Sequence, residues 1–332
     1  DDRVIHFGLI PRSHRGIFVI NELPDLQARI QVSLFNILQE GDIQIRGFKL
    51  RLPLDIQFVF TANPEDYTNR GSIITPLKDR IDSQIITHYP LTIEVGKAIT
   101  KQEAHVKAGQ DKVLVPELLH DLIEQVAIEG RESEYVDPKS GVSARLTISA
   151  METLLSAAER RMLVNNESTA TVRITDLWAV VPAITGKVEL VYEGEQEGTL
   201  IVAQNLIGKA IRNRFLEYFP DPEQSKKEKG GSIYSPIIDW FAEGKFVDLY
   251  SDMPEKEFSA VLYSVPGLYE LASEKIKKVD KVTILLYMEF VLYALAEFSQ
   301  ISRTRVHTKV TFKDLMNSML GGIDFEDLED DE

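Results

Sequence analysis

Two short apolar runs constrain this chain more than any other feature: Gly16-Ile-Phe-Val-Ile-Asn-Glu22 and Ile56-Gln-Phe-Val-Phe-Thr-Ala-Asn63-Pro64. Each is short, rich in β-branched and aromatic residues, and closed by polar residues, so each predicts a buried strand. The stretch between them has helical spacing. Pro24-Asp25 opens it, Leu26, Ile30, Leu34, Ile37 and Leu38 recur, and Gly41 stops it. Ile43, Ile45, Leu50 and Leu52 then alternate with polar residues around Arg46-Gly47, a hairpin pattern. In a parallel α/β sheet, ligands gather at the carboxyl ends of strands. Asn21, Glu22 and Asn63 are therefore predicted to face one crevice. Ile85 to Tyr89 is a third candidate strand.

The remaining sequence is helical in pattern. Val115 to Glu129 places Leu118, Leu119, Leu122, Ile123 and Val126 on one face. Ser143 is a candidate N-cap for a helix reaching Arg161, Thr175-Asp176 opens a short helix, and Thr199 to Phe219 reads as another. Asp221 to Ser232 is polar and Gly-ended, so it reads as a loop. Val282 to Phe298 is the most apolar stretch, but Glu289 and Glu297 fall inside it. A span needs about 20 largely uncharged residues, so a buried core helix is expected and no membrane association. Asp324 to Glu332 is mostly acidic and reads as a solvated tail. The 332 residues thus divide into an α/β part (1–90), a small helical part (91–190) and a mainly helical C-terminal part (191–332).

Composition excludes several function classes. Lys plus Arg is 37 and Asp plus Glu is 52, for a net charge of −15, which disfavours a nucleic-acid-coating protein. There is no cysteine, so disulfides, zinc–thiolate sites and iron–sulfur clusters are ruled out. That fits a reducing, cytoplasmic compartment. His6, His14, His88, His105, His120 and His307 have no metal-ligand spacing. Neither a G-x-S-x-G elbow nor a G-x-G-x-x-G loop is present. The chain begins Asp1-Asp2-Arg3 and enters patterned sequence at once, so it reads as a segment whose natural start lies upstream.

Two arginines join the strand-end residues. Arg80 lies in Thr75-Pro-Leu-Lys-Asp-Arg80-Ile81, and Arg145 in Ser143-Ala-Arg145-Leu146. Singly, each feature has a plain alternative: a strand ending in turn residues, an Asn-Pro turn, or a surface pairing of Arg80 with Asp79 or Asp82. In order, they resemble the AAA+ ATPases of the magnesium-chelatase and MoxR-type branch. The resemblance runs over residues 6 to 190. It rests on Walker B-like Phe18-Val-Ile-Asn-Glu22, sensor 1-like Asn63, the hairpin before the second strand, Arg80 and Arg145, with Arg15-Gly16-Ile-Phe and Leu77-Lys-Asp-Arg80 in support.

The resemblance implies a fold and roles. The fold is a partial AAA+ parallel-sheet core followed by a helical lid and an added helical domain. Glu22 would polarise the attacking water, and Asn63 would position that water or touch the γ-phosphate. Arg80 would be an arginine finger toward a neighbouring subunit's nucleotide. Arg145 would be sensor 2, binding nucleotide from the lid. Asn21 and Glu22 would serve Mg2+, and the hairpin Asp42 to Pro53 would face the centre of a ring. ATP and Mg2+ are the implied cofactors. A homo-oligomeric ring and a von Willebrand A-type protein are the implied partners.

Two departures from the pattern matter. No G-x-x-x-x-G-K-[ST] occurs in the chain, so the backbone cradle and phosphate-binding lysine are missing. These residues by themselves are expected not to hydrolyse ATP. The usual Walker B aspartate is Asn21, which brings no charge to a metal. Two readings stay open: a subunit of an AAA+ motor that remodels or loads a partner protein, and a non-catalytic interaction protein that kept the fold.

Overall fold

The computed structural model describes residues 6–45, 50–63, 72–225, 232–277 and 280–315. Two compact units are present, Asp1–His88 and Tyr89–Glu332.

The first unit is α/β. Its strands are β1 (Gly16–Ile20), β2 (Asp42–Gln44), β3 (Arg51–Pro53) and β4 (Ile56–Phe60). β1 and β4 pair in parallel, from Gly16 opposite Ile56 to Ile20 opposite Phe60. β2 and β3 form the expected antiparallel hairpin, with Asp42 opposite Pro53, and its Arg46-Gly47 turn lies outside the described residues. Ile20 and Phe60 pack against the buried Leu23, Leu34 and Leu77. The opposite face is not buried: Ile17 is 69%, Val19 54% and Val59 42% exposed. The expectation of fully buried strands is therefore corrected, because helical turns cover one side of this pair only. All-parallel sheets are ordinarily covered on both faces.

The helix expected from Pro24 to Leu38 is broken. A 3₁₀ turn at Leu23–Asp25 is followed by Ala28–Ser33 and Phe35–Glu40. Leu26 is extended, and at Leu34 the hydrogen bond tightens to Gln31. Gln31 explains why the segment holds its shape. Its buried side chain donates to the carbonyls of Leu26 (2.8 Å) and Ser72 (3.1 Å) and accepts from the Ile74 N–H (3.0 Å). Gly41 ends the second helix in the left-handed region, φ 65°, where a side chain would be strained. The third strand expected at Ile85 to Tyr89 does not form. Ile85 and Ile86 are 91% and 78% exposed, and no described strand offers a ladder there.

The second unit is mainly helical, with helices Ile93–Glu103, Glu117–Glu132, Arg145–Val164, Thr199–Tyr218 and Lys281–Glu297 as its longest. Residues from both sides of position 190 share its core, among them Leu122, Leu154, Ile207 and Phe290. The face predicted on Glu117–Glu132 is buried from Leu118 to Val126. Ser143 lies one residue before the N-cap position, which Ala144 occupies without a side-chain bond. The Thr175-Asp176 segment is a 3₁₀ helix, Ile174–Val180, continued by Val181–Thr185. Asp221 to Ser232 starts with one helical turn, Pro222–Ser225. The acidic tail from Asp324 lies outside the described residues.

Strands absent from the sequence reading complete this unit. β5 (Val113–Leu114) and β6 (Ala170–Thr171) form a short parallel pair. β7 (Val247–Tyr250), β8 (Ser302–Val306) and β9 (Lys309–Lys313) form an antiparallel sheet in the order β7-β9-β8. Arg303 and Arg305 on β8 lie over the Trp178 ring, at 5.0 and 4.7 Å from its centroid. No described helix is long and apolar enough to cross a membrane.

Lys281–Glu297 is the expected core helix, and Glu289 is wholly buried in it. Its carboxyl accepts from the N–H groups of Ile174 (2.7 Å) and Thr175 (2.9 Å) and from the Thr175 hydroxyl. These are the orphan donors at a helical N-terminus. Burial pushes Glu289 up to about 7, against the opposing pull of those donors and of the Arg173 charge. A raised carboxyl favours the folded state most below its unfolded value, and that advantage is lost as pH rises through the folded one. Unit stability should therefore fall between pH 4.5 and pH 7. At about 1.4 kcal/mol per pH unit, the fall is about 3 kcal/mol. Urea titrations across this range should show the slope in the wild type and a flatter profile in Glu289→Gln.

Candidate functional site

β1 and β4 run parallel and in register, so their carboxyl ends meet at one edge of the pair. Just past that edge the backbones stay linked: the Thr61 N–H donates to Ile20 O (3.0 Å), and the Leu23 N–H to Thr61 O (2.9 Å). Between these bonds sit Asn21 and Glu22. Glu22 has φ 52° and ψ 56°, a left-handed conformation unusual for a residue with a long side chain. Its N–H donates to Thr61 Oγ1 (3.1 Å), and the Thr61 hydroxyl donates to Asn21 Oδ1 (3.3 Å). Asn63 follows Thr61 by two residues and is exposed. The structure therefore brings Asn21, Glu22 and Asn63 to one sheet edge.

Asn21 and Glu22 are the side chains at this edge that could meet Mg2+. Asn21 Oδ1 already accepts from Thr61, and Glu22 supplies the pair's one carboxylate. No group of three His, Asp or Glu side chains suited to a metal occurs among the described residues. Mg2+ usually keeps several waters and is bound by one or two carboxylates together with substrate phosphates. Asn21 and Glu22 offer one amide oxygen and one carboxylate, a donor set that substrate phosphates and waters would have to complete.

Arg80 follows the Thr75–Lys78 helical turn, whose Leu77 is buried in the first unit's core. Its guanidinium donates to Gln39 Oε1 from Nε (3.1 Å) and Nη2 (2.8 Å), and to Pro76 O from Nη1 (2.6 Å). It lies 4.8 Å from the Phe35 ring centroid. None of the ion pairs among the described residues joins it to Asp79 or Asp82.

Arg145 belongs to the second unit. It is the exposed first residue of the 20-residue helix Arg145–Val164, and its N–H donates to Ser143 Oγ (3.2 Å). A cation here faces the positive end of the helix dipole, a placement unfavourable by about 0.3–1 kcal/mol unless an anion approaches. Sequence reasoning missed Thr61, Gln39 and Phe35. Their side chains act across 39 to 45 positions of chain, and no periodicity reports such contacts. Only the Thr two residues before Asn63 was open to inspection as a polar strand-end residue.

Residues 3–86 match the family of the sigma-54 interaction domain, an AAA+ domain. The match spans about a quarter of the chain. It supports an AAA+ ATPase-type α/β core for the first unit, to which the small parallel sheet conforms. A solved structure of a candidate ATPase from Cytophaga hutchinsonii is 19% identical, with 57% of this chain and 64% of that one covered and a TM-score of 0.25. No curated protein matches the chain.

Proposed function

We propose that this chain contributes part of the hydrolytic machinery of an oligomeric AAA+ ATPase of the magnesium-chelatase and MoxR-type branch. The observation that carries the reading is the shared edge of β1 and β4, where a strained Glu22 and an exposed Asn63 stand at adjacent parallel strand ends. Glu22 would polarise the attacking water, and Asn63 would orient it. Arg80 would reach the nucleotide of a neighbouring subunit, and Arg145 would contact nucleotide from the helical unit. The branch rests on motif order and on the β2/β3 hairpin before the second strand. ATP and Mg2+ are the nucleotide and ion this reading implies. A ring of like subunits in the cytoplasm, working on a partner protein of von Willebrand A type, is the assembly it implies.

Asn21 favours the alternative, an interaction protein that kept the fold without turnover. Two measurements bear on these readings, and turnover separates them. The 332 residues alone should not bind Mg-ATP at micromolar affinity in calorimetry, because the phosphate-binding loop is missing. In the full-length protein, Glu22→Gln should keep ATP binding and lose at least about a hundredfold in turnover, as expected for removal of a group that positions or activates the nucleophile. Wild-type turnover in that variant would rule out a role for Glu22 in hydrolysis, and no turnover in the wild type would leave the interaction protein.

A further inference from the structure

We infer that Thr61 is the positioning residue of this site, and that its side-chain hydroxyl sets the turn on which Glu22 is held. The inference rests on the ATPase reading for its consequence in turnover, but its structural part stands without it.

A left-handed non-glycine residue persists only where its surroundings over-determine it. Around Glu22 the neighbouring strand end supplies Thr61, and within the turn the Asp25 N–H donates to the Glu22 carbonyl at 2.9 Å. Thr61 holds the turn from both sides through its backbone, accepting at its carbonyl from the Leu23 N–H and donating from its N–H to Ile20 O. Its hydroxyl fills the gap between those bonds. Oγ1 accepts from the Glu22 N–H at 3.1 Å, and its single proton goes to Asn21 Oδ1 at 3.3 Å. One atom therefore fixes the backbone of Glu22 and turns the Asn21 amide oxygen toward β4. Asn63, two residues further along the same chain, leaves from the same strand end. A hydroxyl is required at position 61. Valine matches threonine in shape, but it would leave the Glu22 N–H and the Asn21 oxygen without this partner, while serine would keep both bonds.

The first test uses the 332-residue chain and needs no nucleotide. In Thr61→Val the Glu22 amide should exchange with solvent about fivefold faster than in the wild type, the loss expected for a hydrogen bond of about 1 kcal/mol. Thr61→Ser should exchange as the wild type does. Unchanged exchange in Thr61→Val would overturn the inference. So would a Thr61→Val chain that fails to fold, since Thr61 would then serve the core. The second test uses the full-length protein. Thr61→Val should keep ATP affinity and lower kcat about 10–100-fold, the scale of a misplaced reacting group, with Thr61→Ser restoring it. If Glu22→Gln is inert and Thr61→Val turns over normally, the positioning role is wrong. If Glu22→Gln itself turns over normally, the ATPase reading fails, and the amide exchange still decides the structural claim.

Discussion

Asp176→Ala is expected to destabilise the second unit by about 3–5 kcal/mol, the cost of leaving a buried charge without its partner. Arg161 is 1% exposed, and its Nη1 is paired with Asp176. The second guanidinium nitrogen donates to Thr171 O at 2.6 Å. The other Asp176 oxygen accepts from the Arg173 N–H at 2.8 Å, so one carboxylate starts the Ile174–Val180 turn and neutralises Arg161. Glu289 holds the next two N–H groups of that turn from Lys281–Glu297. Truncation of Asp176 would free the first of these donors and strand the arginine. Against a domain stability of about 5–15 kcal/mol, the loss is large. Urea unfolding followed by far-UV circular dichroism should show the midpoint drop. Replacing Arg161 with methionine in the same chain should recover much of it, because removing both charges costs far less than removing one. A loss under about 1 kcal/mol for Asp176→Ala would mean that water reaches Arg161.

Arg80→Ala should leave ATP binding nearly intact in the full-length protein and lower turnover by about 10³–10⁵, the range of an arginine finger. The structure sharpens this prediction. In the single chain the guanidinium is held by Gln39 and the Pro76 carbonyl and rests on Phe35. A finger must leave those partners to reach a neighbour's phosphates. Gln39→Ala should then preserve turnover, since it removes only the resting contact. Mixing Arg80→Ala with Glu22→Gln protomers tests action between subunits. Where the Arg80→Ala protomer supplies the nucleotide site and its neighbour an intact arginine, some turnover should return. Unchanged turnover in Arg80→Ala alone would make the Gln39 contact the whole role of this residue. Lost turnover with no return in confirmed mixed assemblies would place its action within one subunit.

The sequence alone determined those parts of the molecule that depend on local pattern. The runs at Ile17–Ile20 and Ile56–Phe60 became parallel strands because β-branched and aromatic residues bounded by polar ones suit an extended, partly covered ladder. Gly41 ended its helix in the left-handed region, and Val282 to Phe298 formed a core helix. The order of Asn21, Glu22 and Asn63 at strand ends was also legible, since parallel pairing puts both ends at one edge. Tertiary structure decided the rest. Ile85 to Tyr89 had strand composition but no partner strand, and a ladder needs one. The sheet of β7, β8 and β9 is not legible in the sequence because Arg303, Arg305, Lys309 and Lys313 break its apolar pattern, and both Arg303 and Arg305 lie over Trp178, more than a hundred positions earlier. The buried Glu289 was visible as a charge in an apolar run, but its reason lies at Ile174 and Thr175. The turn at Glu22 likewise depends on Thr61 from another strand. Pairings of this kind are fixed by which chain segments meet, and that is settled by the packing of the whole unit.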